Sequence, residues 1–343
     1  MLKNFWYAVE FSSAITDAPR RLTVLGESLV VYRKPGDNQL VAMSDWCAHR
    51  GAMLSNGRLD GDCIRCPYHG WKYQADGRCI EIPANSSFSP VPKKARVRAY
   101  PAEDRYGWVW LFVGDLPEAD RPPIPSLAHF DDPGMRVIRG EFKWQAHYTH
   151  VVENSIDISH LPWVHNQSIG HSETAVVPPY EIDGEEWGAS ATIVKERPPG
   201  KKWLWNYLGR NSRNGSHSSI SFGFHMPNMT HMEARLPFAT FCVYGAHVPV
   251  DDRTTVTKWA ATRSFLTGAW ADFGTRRRTI RIYEEDRKVV ESQRRILPED
   301  ELDAEVHVKS DFVQIAYRKL RRKCWDRGWG LEAPSSDCLV RCS

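Results

Sequence analysis

Short segments of alternating polar and apolar residues fill the first third of the chain. Residues 21–33 and 38–45 have this pattern, and a Pro-Gly-Asp-Asn turn lies between them. Similar short segments occur around Ile64 and at 71–73, 78–80 and 107–113. The pattern therefore predicts a small antiparallel β-domain in this part of the chain.

The rest of the chain mixes strand and helix patterns. A Pro-rich polar stretch at 116–125 predicts a boundary, with one domain at 1–116 and another at 117–343. Strands gathered in one run with helices at its ends indicate an α+β fold. The predicted helices lie at 145–160, 270–295 and 311–327, and the predicted strands at 190–196, 203–208, 219–226, 239–248 and 254–263.

The composition is that of an ordinary globular protein and excludes several classes. The chain has 343 residues, of which 42% are hydrophobic and 25% charged, so a sizeable core can form. A net charge of +3 is too small to indicate nucleic acid or a membrane as partner, and no apolar run reaches transmembrane length. Eight cysteines without a secretory signal at the start predict a reducing, cytoplasmic location.

Two pairs of cysteine and histidine carry the clearest chemical signal. Cys47 and His49 form a Cys-x-His pair, and sixteen residues later Cys66 and His69 form a Cys-x-x-His pair. A Rieske [2Fe–2S] cluster is held by two thiolates on one iron and two imidazoles on the other. The spacing therefore predicts this cluster, with all four residues as its ligands.

A structural zinc site is the alternative, because two cysteines and two histidines also suit tetrahedral zinc. The surroundings favour the cluster, since each pair lies in a short Gly-bounded loop beside a tryptophan, Trp46 or Trp71. Common zinc fingers have a different spacing, Cys-x-x-Cys with His-x₃₋₅-His. Ala52 and Tyr68 stand where respiratory Rieske proteins carry two further cysteines, which indicates the lower-potential clusters of oxygenases and their ferredoxins.

A second group of polar residues interrupts an apolar stretch at 152–165. On a helix, Glu153, Asp157 and His160 share one stripe, and Asn154 lies beside Asp157. The pattern therefore predicts a polar face on an otherwise apolar helix.

A proline in this stretch is expected to bring two histidines together. Pro162 should end the helix and push Leu161 toward extended geometry, so that His165 turns back toward His160. Two converging histidines are half of a 2-His-1-carboxylate set, which leaves open positions on Fe(II) for dioxygen. The alternative is that both histidines are ordinary core or surface residues.

The two motifs together resemble the catalytic α-subunit of Rieske non-heme iron oxygenases. Cys-x-His and Cys-x-x-His are followed by Asn154-x-x-Asp157-x-x-His160-x₄-His165. The resemblance is to the α₃ group, which includes the dicamba and vanillate O-demethylases and the caffeine N-demethylases. It implies a helix-grip catalytic domain, in which an antiparallel sheet closes over a long C-terminal helix.

The resemblance also implies a third iron ligand on a late helix. In the family this aspartate lies in a Glu-Asp-(Arg/Lys) stretch, which here is Glu285-Asp286-Arg287. Helical spacing places Asp286 on the apolar stripe of Tyr283 and Val290, where a carboxylate needs a partner such as a metal. Glu285 stays open as the second choice, and Glu284 is interpreted as a surface residue.

Asp157 and Asn154 are the candidate catalytic residues outside the ligand sets. The resemblance implies that Asp157 joins His160 of one subunit to the cluster ligand His69 of the next, within a head-to-tail homotrimer. A helix-surface aspartate is the alternative, which the flanking apolar residues Ile156 and Ile158 disfavour.

The resemblance implies a terminal oxygenase that uses O₂ to hydroxylate or oxidatively demethylate its substrate. This activity needs proteins that deliver electrons. The chain lacks a Gly-x-Gly-x-x-Gly dinucleotide motif and a ferredoxin cysteine run, so a separate NAD(P)H-dependent reductase is implied, with or without a ferredoxin. The cationic run at 93–98 is a candidate docking surface for it. A non-enzymatic Rieske electron carrier or a zinc-stabilised binding protein is the alternative class.

The implied substrate is a small aromatic or heterocyclic molecule that reacts with O₂. Aromatic residues alternate on two predicted strands and either line its cavity or pack the sheet against its helix. The candidates are Trp203, Trp205, Tyr207, Phe222, Phe224 and Met226, with Asn206, His225 and His231 as weaker polar candidates.

Overall fold

Short antiparallel strands form the N-terminal part of the structure, a computed structural model that describes residues 1–86, 89–166, 168, 175–195, 218–294 and 304–331. The strands pair in three sheets, which confirms the predicted β-domain. They are β1 (Phe5–Phe11), β2 (Arg20–Val24), β3 (Glu27–Arg33), β4 (Leu40–Ser44), β5 (Arg58–Asp60), β6 (Cys63–Arg65), β7 (Lys72–Tyr73), β8 (Cys79–Glu81), β9 (Ala99–Tyr100), β10 (Ala102–Arg105) and β11 (Trp108–Val113). The sheet orders are β2-β3-β4-β9, β5-β6-β7-β8 and β1-β11-β10.

A seven-stranded antiparallel sheet, counted over the described residues, forms the second part. Its strands are β12 (Arg136–Trp144), β13 (Ile182–Glu185), β14 (Gly188–Lys195), β15 (Ser218–His225), β16 (Met229–Leu236), β17 (Ala239–Pro249) and β18 (Thr255–Arg263). Their order is β12-β18-β17-β16-β15-β14-β13. The sequence patterns located β14, β15, β17 and β18 but missed the other three strands. The predicted strand at 203–208 lies outside the described residues.

Four α-helices of the described chain complete this domain, and the longest covers one face of the sheet. They are α1 (Tyr148–Ser155), α2 (Leu161–Val164), α3 (Asp272–Val290) and α4 (Phe312–Cys324). Tyr283 on α3 lies against Phe142 and Trp144 of β12, with ring centroids 5.3 and 5.6 Å apart. The sheet packed on a long late helix confirms the predicted α+β class. Within the described residues, no helix combines the length and apolar character needed to cross a membrane.

The predicted helix at 145–160 is wrong in its extent. Because α1 ends at Ser155, Glu153, Asp157 and His160 do not share a stripe. The Glu153 carboxylate instead accepts two hydrogen bonds from the Arg318 guanidinium of α4, at 2.7 and 2.8 Å. This ion pair ties α1 to the C-terminal helix.

The role predicted for Pro162 is also wrong. Pro162 lies in the first turn of α2 and does not force Leu161 into extended geometry. Proline suits this place because the first turn of a helix does not need its N–H. The two histidines therefore stand at the two ends of one short helical turn, with His160 before it and His165 after it.

The two parts of the molecule share a core. Trp6, Trp108 and Trp110 of the sheet β1-β11-β10 pack in one cluster with Met229 and Tyr244 of the large sheet. The contact buries large aromatic side chains, each of which contributes about 1.5–3 kcal/mol when it leaves water. The N-terminal strands therefore cover the face of the large sheet that α3 leaves free.

Candidate metal centres

The two Cys–His loops have the same backbone geometry. In each loop, the glycine four residues after the cysteine donates its N–H to the cysteine carbonyl, at 2.9 Å for Gly51 and 3.1 Å for Gly70. Both glycines have positive φ, 68° and 72°, which other residues rarely adopt. The sequence therefore folds each pair into a tight loop that brings its cysteine and histidine to one end of the β-domain.

The four predicted cluster ligands lie together. Cys47 and Cys66 are buried, and the rings of His49 and His69 are 4.5 Å apart between centroids. The Trp71 indole stacks on His49 at 4.6 Å with an interplanar angle of 4°. One histidine is thus shielded, whereas His69 is exposed at the tip.

The donor set of this site fits a [2Fe–2S] cluster. Nδ1 of His49 is buried without a hydrogen-bond partner among the described residues. Burial, with His69 nearby, lowers the pKa of His49, which favours the neutral ring that binds metals. Burial raises the pKa of the Cys66 thiol, so its thiolate requires a metal cation beside it. The Tyr73 hydroxyl lies 3.1 Å from Cys47 Sγ and can donate to a thiolate there.

We expect Cys66→Ser to remove the visible colour and the EPR signal of the cluster, because the hydroxyl of serine does not replace a terminal thiolate as an iron ligand. Cys63→Ser is the matched control, since Cys63 is a free cysteine on the neighbouring strand β6. Absorption and EPR spectra of both variants provide the measurement. A Cys66→Ser protein with an unchanged spectrum would contradict the ligand assignment.

The second predicted site brings two histidines and one carboxylate together. His160 Nε2 and His165 Nε2 lie 3.3 Å apart. Oδ1 of Asp286, from α3, lies 3.4 Å from the first and 3.1 Å from the second. The structure thus places one carboxylate oxygen and two imidazole nitrogens around one point, as a 2-His-1-carboxylate site requires.

A carboxylate also lies at the other ring nitrogen of each histidine. His160 Nδ1 lies 3.2 Å from Asp157 Oδ2, and His165 Nδ1 lies 2.8 Å from Glu285 Oε2. Ser159 donates both its backbone N–H and its hydroxyl to Asp157 Oδ1, at 2.7 Å each. Such partners fix ring orientation at metal sites.

The charges of this site suit a bound cation. Burial opposes ionisation of Asp286, but the neighbouring His160 and His165 outweigh it and hold the pKa of the carboxyl below its usual range. Burial likewise opposes protonation of His160, yet Asp157 and Asp286 raise the pKa of the ring to about 9. Asp286 Oδ1 is buried without a well-aligned hydrogen-bond donor. The residues therefore fit a mononuclear iron.

The remaining predicted site residues take other places. Asn154 is on α1, where its carbonyl accepts the N–H of Asp157 at 3.3 Å, and among the described residues its side chain makes no hydrogen bond. Glu284 is half exposed and pairs with Arg287 at 3.0 Å. Glu285, the second choice as ligand, instead contacts His165 from outside the site. The sequence feature that drew attention to Glu285 was its position next to Asp286.

The aromatic candidates on β15 belong to the core. Phe222 and Phe224 are buried, and Phe224 meets Tyr317 of α4 at 5.1 Å between ring centroids. Met226 is buried in the same cluster. The half-buried His225 lies with Nδ1 3.0 Å from the Met226 carbonyl. Trp203, Trp205, Asn206 and Tyr207 lie outside the described residues.

A further group of metal-type side chains is paired internally. His129, Glu233 and Cys242 lie close together on the face covered by the N-terminal sheet. His129 Nε2 is 3.0 Å from Glu233, and its Nδ1 is 2.6 Å from the Tyr244 hydroxyl. Each of these polar atoms thus has a protein partner, which is typical of a structural hydrogen-bond network.

The two centres define the class of protein: an iron-dependent oxygenase that carries its own Rieske cluster. Comparison with known proteins gives the same class. Residues 5–101 match the Rieske [2Fe-2S] domain, and residues 144–327 match the vanillate O-demethylase oxygenase C-terminal domain. The chain belongs to the Rieske non-heme iron oxygenases with a catalytic domain of this vanillate O-demethylase type. It is therefore an enzyme that uses a [2Fe–2S] cluster and a mononuclear iron, and the carrier and zinc-protein alternatives are wrong.

Individual relatives extend the match over most of the chain. Methylxanthine N1-demethylase NdmA of Pseudomonas putida is 30% identical over 94% of this chain and 89% of its own length. A solved structure of NdmA superimposes with a TM-score of 0.78 over 95% of this chain and 92% of that one, at 29% identity. The iron-sulfur subunit TsaM1 of the Comamonas testosteroni toluene-4-sulfonate monooxygenase system is 34% identical, but the match spans only 52% of this chain and 50% of that protein.

Proposed function

We propose that this terminal oxygenase takes electrons from NAD(P)H through a separate reductase and hydroxylates or oxidatively demethylates an aromatic or fused-ring substrate. The observation that carries the proposal is the position of Asp286 Oδ1 within 3.4 Å of Nε2 of both His160 and His165. We assign these three residues as iron ligands. The proposed cluster ligands are Cys47, His49, Cys66 and His69.

Apolar side chains between the sheet and α3 support an aromatic substrate. Phe241, Val243 and Ile280 are only partly buried where they pack against the core around Tyr283. Ile280 precedes Asp286 by less than two helical turns, so its side chain lies about 9 Å from the carboxylate along the helix axis. A partly open apolar side chain at that distance suits a flat ring. The methylxanthine named for NdmA is such a fused ring.

The chain's own residues would bind the two metal groups, orient the histidine rings and exclude water from the cluster site. When bound, the metals supply one-electron transfer and the activation of O₂. Asp157 and Glu285 hold the two histidines at Nδ1, so that each Nε2 faces Asp286. Trp71 covers one face of His49 and would shield a bound cluster from water on that side. We retain Asn154 as a candidate catalytic residue, because its carbonyl accepts the N–H of Asp157, the residue that contacts His160.

We propose a head-to-tail homotrimer, in which the cluster of one subunit serves the iron of the next. Two exposed aromatic residues support it: Tyr68 beside His69 is 67% exposed, and Trp163 between His160 and His165 is 66% exposed. Large exposed aromatic side chains are typical of protein interfaces. In a closed ring, the surface around Tyr68 of each subunit would contact the surface around Trp163 of the next, so every iron site would have a cluster beside it.

The remaining proposals concern partners, domains and location. The run at 93–98 supports reductase docking, because its four cationic side chains are exposed while Ala95 and Val97 are buried. Domains at 1–116 and 117–343 are supported by strand pairing, since every sheet of the described chain forms within 5–113 or within 136–263. A cytoplasmic location is supported by the four described cysteines outside the proposed cluster site, Cys63, Cys79, Cys242 and Cys324, which form no disulfide among the described residues.

Product analysis tests the proposed function. The purified protein would be combined with a surrogate reductase, NADH, O₂ and a panel of aromatic acids, ethers and methylated heterocycles. We expect substrate-dependent NADH and O₂ consumption, with one oxygen atom in the product and the other in water. On an N-methyl or O-methyl group, the hydroxymethyl product should release formaldehyde. A reduced protein that consumes O₂ equally with and without every compound, and forms no product, would contradict the proposal.

A further inference from the structure

His165 is held at both ring nitrogens by neighbouring residues of one helix. Nδ1 lies 2.8 Å from Glu285 Oε2, and Nε2 lies 3.1 Å from Asp286 Oδ1. The His165 side chain is 1% exposed, so water does not compete for either nitrogen. One turn of α3 therefore provides a carboxylate to each side of the ring.

The Glu285 carboxylate is itself fixed. Arg281, one turn earlier on α3, donates from Nε to Oε1 at 3.0 Å. The Ser168 hydroxyl donates to Oε2 at 2.6 Å. Ser168 also donates its backbone N–H to the His165 carbonyl at 2.9 Å, so the same short segment supports both the ring and its partner. Each oxygen of Glu285 thus has a donor that holds it in place.

We propose that Glu285 is a positioning residue for the mononuclear iron, which accepts the Nδ1–H of His165 and thereby keeps Nε2 free as the iron ligand. A neutral imidazole carries its proton on either nitrogen, and a carboxylate at Nδ1 selects the tautomer with Nε2 unprotonated. The negative charge also makes the ring a stronger donor to a metal. The inference rests on the proposed function only in requiring that this site binds iron.

The geometry separates this role from that of a ligand. Glu285 Oε2 lies at Nδ1, on the far side of the ring from the point that Asp286 Oδ1 and the two Nε2 atoms share. To bind the same metal, the Glu285 carboxylate would have to give up its contacts with His165, Arg281 and Ser168. The corresponding partner of His160 is Asp157, which lies in the loop before α2 rather than on the ligand helix. Of these two Nδ1 partners, Glu285 is therefore the one that links the orientation of a histidine to the helix that carries the proposed third ligand.

Iron affinity provides the test. Protein with an intact cluster would be dialysed anaerobically against buffered Fe²⁺, and iron beyond the cluster would be counted. We expect Glu285→Ala to weaken binding about 10- to 100-fold, as loss of an outer partner does at other metal sites. Glu285→Gln should lose less, because its amide oxygen still accepts Nδ1–H without the charge. Glu284→Gln is the matched control, since Glu284 is 50% exposed one residue away, and its affinity should stay within about two-fold of the wild type.

The outcomes separate this inference from the proposed function. A wild-type protein without a third iron would overturn both. Wild-type affinity in Glu285→Ala, with iron bound to both proteins, would overturn the positioning role alone. Complete loss of iron in Glu285→Ala together with full retention in Asp286→Ala would show that Glu285 is the ligand instead. Far-UV circular dichroism and thermal unfolding of each variant report whether the catalytic domain is folded, and Glu285→Gln, which preserves the side-chain volume, decides the question if the alanine variant fails to fold.

Discussion

Asp286→Ala is expected to lose the mononuclear iron and all turnover while it keeps the cluster. Asp286 provides a carboxylate oxygen within 3.4 Å of both histidine Nε2 atoms, and without it two neutral imidazoles cannot hold Fe²⁺ firmly. The cluster loops do not depend on this residue, because their hydrogen bonds lie within the N-terminal sheets. Iron should fall from about three to about two per chain, since the Rieske cluster itself contains two.

Iron analysis, the cluster EPR signal and product formation measure this result. Glu284→Ala serves as the control, because it removes an exposed carboxylate from the same helix. An active Asp286→Ala protein beside an inactive Glu285→Ala protein would place the ligand one residue earlier. Loss of the cluster in Asp286→Ala would show that the two centres depend on each other for folding.

Asp157→Asn is expected to slow electron transfer between the centres about 100-fold, a loss at the upper end of that seen when an outer partner is changed. The carboxylate accepts from Ser159 with one oxygen and faces His160 Nδ1 with the other. An amide has one acceptor oxygen and one donor nitrogen, so it cannot accept from Ser159, from His160 and from a neighbour's His69 at once. The variant has nearly the same volume and should fold.

Stopped-flow measurement of cluster reoxidation by O₂, with substrate and saturating Fe²⁺, tests this expectation. Saturating iron removes any difference in occupancy. The control is Asp183→Asn, which neutralises an exposed aspartate on β13 at the far edge of the large sheet. Size-exclusion chromatography would show whether the protein is a trimer. A monomer that turns over at full rate, or an Asp157→Asn variant with the wild-type rate, would contradict the proposed route between subunits.

The predicted cluster ligands could be proposed from the sequence because they lie close together along the chain. Each Cys–His pair lies within four residues, and a glycine with positive φ closes each loop. The predicted ligands and the glycine that forms the turn therefore lie within a few residues of each other in each loop, so a short sequence motif is enough to predict them. The cofactor and the fold class could be predicted for this reason, together with the resemblance that the second motif carries.

Helical periodicity misled the prediction around the second site. An apolar pattern through 145–160 looks continuous, yet α1 ends at Ser155 and α2 begins at Leu161. The pattern shows which residues face the core but not where the chain turns, because a loop packed on the core also buries apolar residues such as Ile156. Pro162 does lie at a helix boundary, but it lies at the start of α2, whereas the sequence predicted that it ends the preceding helix.

The sequence by itself determined the class of this protein, its two metal centres and the short list of carboxylates near the second. Only the tertiary structure decided what each carboxylate contacts, since Glu285 and Asp286 are adjacent and differ by about 100° around the helix. The position of α2 beside α3 puts Asp286 at Nε2 and Glu285 at Nδ1 of the same ring. That contact joins residues 120 positions apart, and no local pattern encodes it because it depends on how two helices pack.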